Sequence, residues 1–242
     1  MKNEIIWITG ASSGIGRELA LMLLNSGKTV AASSRNTELL EKLKDGIEKK
    51  NLLRIYPCDI SIPEQAAETG ARIASEFTVA ALFNNAGITS FKPAADDSID
   101  DIKKIINTNL LGPICAIKSI LPSMIKANKG AIVNTVSVVA KKVFTNSSAY
   151  SASKSGLAAY TDVLREEVRK NNIRIINVYP GATKTPIWPN NVLEKFSERM
   201  MAPADVASVI ISLFENEGSA YPEEITLRSE ERRVGKECRS RW

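Results

Sequence analysis

The sequence predicts one α/β domain built on a doubly wound parallel sheet of about seven strands, with helices on both faces. Three observations carry that prediction. Apolar runs of strand length alternate with helix-length amphipathic segments along the 242 residues, and such alternation builds parallel sheets covered by helices. The first apolar run leads directly into Gly10-Ala-Ser-Ser-Gly14-Ile-Gly16 and then a helical pattern, the strand–turn–helix context of a phosphate-binding turn. Side chains with hydrogen-bonding or acid–base chemistry fall just past the strand C-termini, where ligands bind such sheets.

Each element has a local reason. Glu4–Thr9 is the first strand, and Arg17–Asn25 has helical periodicity that stops at Ser26-Gly27. Gly10 permits a tight turn, Gly14 lets the backbone approach a pyrophosphate, and Gly16 lets the helix sit against the strand. The helix N-terminus adds free N–H groups and a positive dipole end. Lys28–Ser34 is the second strand. An acid at its end would bind a ribose 2′-hydroxyl and repel a 2′-phosphate, but Ser34-Arg35 stands there. Arginine pairs with phosphate through two parallel hydrogen bonds, so this end favours NADP(H).

Thr37–Lys50 reads as an amphipathic helix, and Leu52–Pro57 as the third strand, followed by Cys58-Asp59-Ile60. Asp59 is either an acceptor for an adenine amino group or a turn residue. Ser61-x-x-Glu64 has the form of a capping box for the next helix. Val79–Phe83 is the fourth strand and runs into Asn84-Asn85-Ala86-Gly87, where small residues admit a ligand to the backbone. Ser98–Asn128 is one long helical stretch with Asn109 inside an apolar segment. A buried Asn needs partners, either in the core or in a site. Ala131–Val136, Ile173–Tyr179 and Glu223–Leu227 are the remaining strands, Ser147–Asn171 and Pro203–Glu215 the remaining helices. Trp188–Met201 is irregular and forms a candidate lid over a substrate.

Ser137 stands at the end of the fifth strand, and Asn146 or Ser147 can cap the helix that follows. Tyr150 and Lys154 are one turn apart on that helix, on one face. A phenol with an ordinary pKa of about 10 exchanges protons poorly at neutral pH, and a neighbouring cation favours the phenolate. Tyr150 then gives a proton to a carbonyl oxygen or takes one from an alcohol, while Ser137 hydrogen-bonds the same oxygen. The chain has no histidine, which removes the commonest general base and raises the weight on Tyr150.

Composition excludes other classes. Without histidine or a Cys-x-x-Cys pair, no zinc site is expected, and the separated Cys58, Cys115 and Cys238 read as reduced thiols. No apolar run approaches the roughly 18 residues of a membrane helix. Met-Lys-Asn-Glu leads straight into a strand, with no room for a signal peptide, so a cytoplasmic protein is expected. The net charge of +5 owes much to the segment from Arg228, with its six basic and three acidic residues. The rest has no basic stripe with interleaved aromatics, so no nucleic-acid partner is expected.

Together these residues resemble the short-chain dehydrogenase/reductase family, in its branch of about 250 residues. The resemblance rests on Thr9-Gly10-Ala-Ser-Ser-Gly14-Ile-Gly16, Asn84-Asn85-Ala86-Gly87, Asn109, Ser137, Tyr150-x-x-x-Lys154 and Pro180-Gly181-x-x-x-Thr185, in order, over Glu4–Leu227. It implies a Rossmann-like sheet and an NADP(H)-dependent oxidoreductase that interconverts a carbonyl and a secondary alcohol. Tyr150 would be the acid/base, with Lys154 lowering its pKa and holding the nicotinamide ribose. Ser137 would orient the substrate oxygen, and Asn109 would position a water linking Lys154 to solvent. Gly10, Ser12, Ser13, Gly14, Ile15 and Gly16 would surround the pyrophosphate, with Ser34 and Arg35 at the 2′-phosphate and Asp59 and Ile60 at the adenine. Asn85, Ala86 and Gly87 would lie along the cofactor, and Pro180, Gly181, Thr183 and Thr185 would flank the nicotinamide. The resemblance also implies a homodimer or homotetramer paired through the helices at Ser98–Asn128 and Ser147–Asn171. The other reading is an idle NADP(H)-binding regulator. The complete set Asn109, Ser137, Tyr150 and Lys154 weighs against it, since an idle member is free to lose those side chains.

Residues 1–227 are expected to form the domain. From Arg228 to Trp242 the composition changes abruptly to dense charge with almost no apolar periodicity. That segment resembles the in-frame translation of a sequencing adapter, so 228–242 is expected to be non-native.

Overall fold

Strict alternation along β1 (Glu4–Thr9) divides its side chains between two cores. A computed structural model of the chain describes residues 2–216, 218 and 220–229. Ile6 and Ile8 join a core formed with α1 (Gly14–Asn25) and α8 (Pro203–Phe214), through Leu19, Leu23, Val206 and Ile210. Ile5 and Trp7 face the other way, toward α3 (Pro63–Glu76), α5 (Gly112–Ala127) and α6 (Ser148–Val168). The other strands are β2 (Val30–Ser33), β3 (Leu53–Ile55), β4 (Thr78–Asn84), β5 (Gly130–Thr135), β6 (Ile173–Pro180) and β7 (Glu224–Leu227).

All seven strands form one parallel sheet in the order β3-β2-β1-β4-β5-β6-β7. The chain therefore winds outward from β1 in one direction and then from β4 in the other. The gap between those halves is the switch point at which ligands enter such sheets. A one-residue bulge at Ala80 (Ile5 pairs with Val79, Ile6 with Ala81) keeps β4 in phase with both cores. Val79 and Leu82 face one core, Ala81 and Phe83 the other. A polar ladder that the sequence reading missed crosses three strands. Asn84 donates to Asn134 and Asn134 to Asn177, each at 3.0 Å, and Thr161 of α6 donates to Asn177 at 3.0 Å. These buried amides lock the register of β4, β5 and β6.

Three local expectations fail. Only Thr37–Glu41 is α-helical (α2); Lys42–Gly46 is a 3₁₀ turn, Ile47 is extended, and Lys50 opens a separate 3₁₀ turn, so no continuous helix runs from Thr37 to Lys50. Gly46 is a weak helix former, and a Cβ there would stand 3.1 Å from the tip of the Leu21 side chain, a tight contact. Ser61 and Glu64 form no capping box: the Ser61 hydroxyl donates to Asp59 instead, and α3 starts with Pro63 in its first turn behind Ile62. Neither Asn146 nor Ser147 caps α6 with its side chain; Asn146 takes a left-handed φ of 60° and the Ser147 hydroxyl donates to the Phe144 carbonyl.

The long helical stretch is α4 (Ile99–Ile106), a π-helical turn at Asn107–Leu111, and α5. Pro113 has no N–H to offer the Asn109 carbonyl four residues earlier, so a regular α ladder cannot pass through this point. Contrary to the expectation of no membrane-length helix, Ile99–Ala127 is long and apolar enough to cross a membrane by length and composition alone, with a window of mean hydropathy 1.4 that is 33% buried. Its buried side chains, Ile117 and Ile120 among them, belong to the core shared with α3 and α6. The candidate lid contains α7 (Asn190–Phe196) and a 3₁₀ turn at Ser197–Arg199. The expected non-native tail lies outside the described residues from Glu230 onward.

Candidate active site

The strand C-termini open into one cleft of about 1460 Å³. At its nucleotide-side floor, Gly10 and Gly14 take left-handed φ values of 67° and 55°, which side chains resist. Ser13 precedes α1 in an extended conformation and makes no side-chain cap bond, so the first-turn N–H groups of α1 remain for a ligand. No acidic residue stands in that first turn to compete for them. Gly16 lies below this surface rather than on it. A Cβ there would run into the Gly10 carbonyl oxygen and the Asn85 side-chain amide.

Further along, Ser34, Arg35, Asp59 and Ile60 line the cleft at the ends of β2 and β3. Arg35 is exposed, and no carboxylate ends β2. The Ser34 hydroxyl closes its own turn, accepting from the Asn36 N–H at 3.1 Å and donating to the Asn36 carbonyl at 3.2 Å. One Asp59 oxygen, Oδ1, is taken by the Ser61 N–H and hydroxyl at 3.0 and 2.7 Å. Across the switch point, the Thr9 hydroxyl accepts from the Asn85 and Ala86 N–H groups at 3.2 and 3.3 Å. The Asn85 amide donates to the Gly10 carbonyl at 3.3 Å. These bonds fix the glycine turn and the Asn85–Gly87 loop to each other, a role for Thr9 that the sequence reading missed.

Ser137, Tyr150 and Lys154 all reach the same cleft. Lys154 is 3% exposed, and its Nζ donates to the Thr135 carbonyl at 2.7 Å. A Cβ on Gly87 would stand 3.4 Å from that Nζ and 3.4 Å from Asn109 Oδ1, so Gly87 lies directly against the lysine head and the Asn109 amide. Asn109 is fully buried behind this wall. Its Oδ1 accepts from the Ile88 N–H at 2.9 Å, and its Nδ2 donates to the Ile88 carbonyl at 2.8 Å and to Ser153 Oγ at 3.0 Å. Both amide protons are therefore used to brace the Gly87–Ile88 segment and α6. The widened turn leaves the Asn109 main-chain carbonyl without its usual α-helical donor. Ser153 donates to the Tyr150 carbonyl at 2.7 Å and joins the two elements, a part no motif pointed to.

The electrostatics differ from the simple expectation. Burial pushes the Tyr150 phenol above its ordinary pKa, and the hydrogen bond with Ser137 only partly offsets that. Lys154 Nζ lies 6.0 Å from the Tyr150 ring centroid and is itself pushed down to about 8 by burial. Desolvation thus governs both groups, raising the phenol and lowering the amine. This has a stability consequence. Between pH 8 and the ordinary lysine value the unfolded chain holds a proton that folded Lys154 has released, so stability rises with pH across that window. The melting temperature of the wild type relative to Lys154→Met is therefore expected to increase from pH 8 to pH 10. A difference that stays flat or falls would contradict the burial of a mostly uncompensated amine.

The rest of the cleft includes Pro180 at the end of β6, with Gly181, Thr183 and Thr185 beyond it. The Thr185 methyl lies 2.9 Å from where a Gly14 side chain would begin, so this loop closes down over the glycine turn. Of the residues expected to form the site, only Gly16 and Asn109 stand behind the cleft wall. Among the described residues no group of three His, Cys, Asp or Glu side chains could hold a metal ion.

The chain has relatives among known proteins. The short chain dehydrogenase family profile matches residues 4–195. Sepiapterin reductase of Chlorobaculum tepidum is 31% identical over 234 residues, covering 93% of this chain and 96% of that protein. Bovine dehydrogenase/reductase SDR family member 7B is 31% identical over 229 residues, 88% of this chain, which spans 70% of the relative's length. The solved structure of ElxO with NADP bound superposes with a TM-score of 0.83 at 28% identity, over 94% of this chain and 96% of that one. The first six strands of the sheet, the glycine turn at its switch point and the Ser137–Tyr150–Lys154 cluster thus sit within the matched residues, and the chain belongs to the short-chain dehydrogenase family.

Proposed function

We propose that the protein is an NADP(H)-dependent oxidoreductase that interconverts a carbonyl and a secondary alcohol, with Tyr150 as the acid/base. The observation that carries this reading is the convergence of Ser137, Tyr150 and Lys154 on the cleft that also holds the glycine turn. The residues fit the cofactor. Gly10, Ser12, Ser13, Gly14 and Ile15 would hold the pyrophosphate, with Gly16 beneath them. Arg35, beside Ser34, would pair with the 2′-phosphate, and Asp59 and Ile60 would border the adenine. Asn85, Ala86 and Gly87 would follow the chain of the cofactor to Lys154, and Pro180, Gly181, Thr183 and Thr185 would flank the nicotinamide. That ring, when bound, supplies or accepts the hydride.

The chain's own groups do the rest. Ser137 hydrogen-bonds the substrate oxygen and sets its position. Tyr150 gives that oxygen a proton during reduction and takes it back during oxidation. Lys154 is the inner end of the route by which Tyr150 is reprotonated. Asn109 serves that route by fixing Gly87 and Ile88 against the lysine, and its main-chain carbonyl, to which Pro113 offers no N–H, is the acceptor assigned to a water on that route. A homodimer or homotetramer paired through α5 and α6 completes the proposal.

The test is NADPH oxidation against a panel of ketones and aldehydes, with NADH as the comparison nucleotide. Reduction of at least one carbonyl is expected, with NADPH preferred. Arg35→Ala removes a charge-assisted contact that contributes on the order of 1.5–3 kcal/mol. NADPH should bind roughly tenfold or more weakly to this variant, and NADH almost unchanged. Equal loss for both nucleotides would remove Arg35 from the 2′-phosphate. A panel with no turnover, alongside intact NADPH binding, would favour a binding protein over an enzyme.

A further inference from the structure

Two aromatic rings meet across the mouth of the cleft. Phe91 comes from the loop after β4 and Trp188 from the loop after β6; their centroids are 5.0 Å apart and their planes 14° from parallel. β4 and β6 flank β5 in the sheet. The pair therefore spans the strand that delivers Ser137. Both rings line the main cleft and also a second hollow beside it, of about 620 Å³. They form part of the wall between the two, together with Arg35 and the Ile88–Thr89 and Pro186–Ile187 segments.

The rings are not equivalent. The Trp188 indole N–H donates to the Thr183 carbonyl at 3.0 Å, and Thr183 is 5% exposed. The indole plane is thus tied to buried backbone. Phe91 is 41% exposed and a phenyl ring has no polar group with which to anchor itself. Around the pair, Val138, Phe144, Ile187, Val192, Phe196 and Met200 give the cleft an apolar lining. Of the charged side chains in the lining, Asp59 and Arg35 stand at the strand ends on the adenosine side of the proposed cofactor placement, Lys154 is beside Tyr150, and Arg199 is next to Met200; Arg35 also lines the second hollow.

We infer that Trp188 is the platform for a flat, apolar body on the substrate, and that Phe91 occupies this platform until the substrate displaces it. The substrate class is then an aryl ketone or aryl aldehyde. A nearly parallel stack with centroids 5.0 Å apart is offset, and it fits a planar ring because each ring lays part of its flat face against the other. A saturated ring is thicker and lacks the π face that makes such contacts favourable beyond area alone. The proposed carbonyl reaction enters only in placing the carbonyl toward Tyr150; the ring platform stands on the stack itself.

The experiment reads binding rather than turnover. Acetophenone and cyclohexyl methyl ketone, matched in size, are titrated by calorimetry into NADP⁺-saturated protein, where ketone and oxidised cofactor cannot react. Acetophenone is expected to bind roughly two- to tenfold more tightly, the range that aromatic stacking supplies. Trp188→Ala should abolish that preference, and Trp188→Phe, which keeps a flat face, should retain it. Phe91→Ala should tighten acetophenone binding, since no ring has to leave. Equal binding of the two ketones, no binding of either, or a preference that survives Trp188→Ala would overturn the inference. So would a Phe91→Ala variant that weakens acetophenone as much as Trp188→Ala does. Reduction of aliphatic aldehydes without any aryl preference would sink the platform and leave the reaction standing. Tight acetophenone binding by a protein that reduces no carbonyl would do the reverse.

Discussion

Tyr150→Phe is expected to lower turnover by about 10²–10⁴-fold, the usual contribution of a general acid/base. The change removes one hydroxyl and leaves a ring of the same shape on the same face of α6. The cleft walls, the glycine turn and the Lys154–Thr135 hydrogen bond do not depend on that hydroxyl. NADPH affinity should therefore stay within about twofold. The lost group is also the hydrogen-bond partner of Ser137, so part of the loss reflects a substrate oxygen that is less firmly held. Steady-state kinetics with a carbonyl that the wild type reduces gives the answer. Near-normal turnover in Tyr150→Phe would remove the residue from the chemistry.

Gly16→Ala is expected to damage the cofactor site from below. The added methyl would press into the Gly10 carbonyl and the Asn85 amide at once. The first is backbone, and the second is bonded to that same carbonyl at 3.3 Å, so neither can yield independently. Overpacking of this kind typically costs about 1–3 kcal/mol. For a domain of this size each kcal/mol lowers the melting temperature by roughly 2–4 °C. The larger effect should be on binding, because relief requires moving the Gly10 turn or the Asn85 loop. NADPH affinity is expected to fall by more than about tenfold, equivalent to 1.4 kcal/mol. A variant that melts and binds like the wild type would show that the turn has slack that its packing does not reveal.

Most of the sheet was legible because the signals were local and agreed with one another. Glu4–Thr9, its glycine turn and α1 form a unit whose hydrophobic period, turn residues and helix stop all point the same way. Legibility failed where tertiary contact overrode a local pattern. The spacing of Leu40, Leu43 and Ile47 is helical and all three are buried in one core, yet the α-helix ends at Glu41 and the chain continues as a 3₁₀ turn that stops at Gly46. Ser61 and Glu64 have the spacing of a capping box, but Asp59 captures the serine first. The π turn at Asn109 had a readable cause in Pro113, whose missing N–H forbids a regular ladder.

Within the site, motifs gave the identity of the reactive side chains but not their electrostatics. Helical spacing places Lys154 near Tyr150; it does not say that burial lowers the lysine and raises the phenol. Nor could spacing show that Gly16 and Asn109 support the cleft wall from behind, or that Phe91 and Trp188, 97 residues apart in number, meet over β5. Those facts depend on which loops the sheet order brings together.

The most direct measurement is isotope transfer. The protein is incubated with NADPH carrying deuterium at the transferable C4 position and with a carbonyl compound that it reduces. The alcohol is then analysed by mass spectrometry. Direct hydride transfer predicts one deuterium on the carbinol carbon for each NADP⁺ formed, with formation slowed about 10²-fold or more in Tyr150→Phe. Alcohol without deuterium at that carbon, or NADPH consumed with no alcohol formed, would contradict a carbonyl-reducing oxidoreductase built on Ser137, Tyr150 and Lys154.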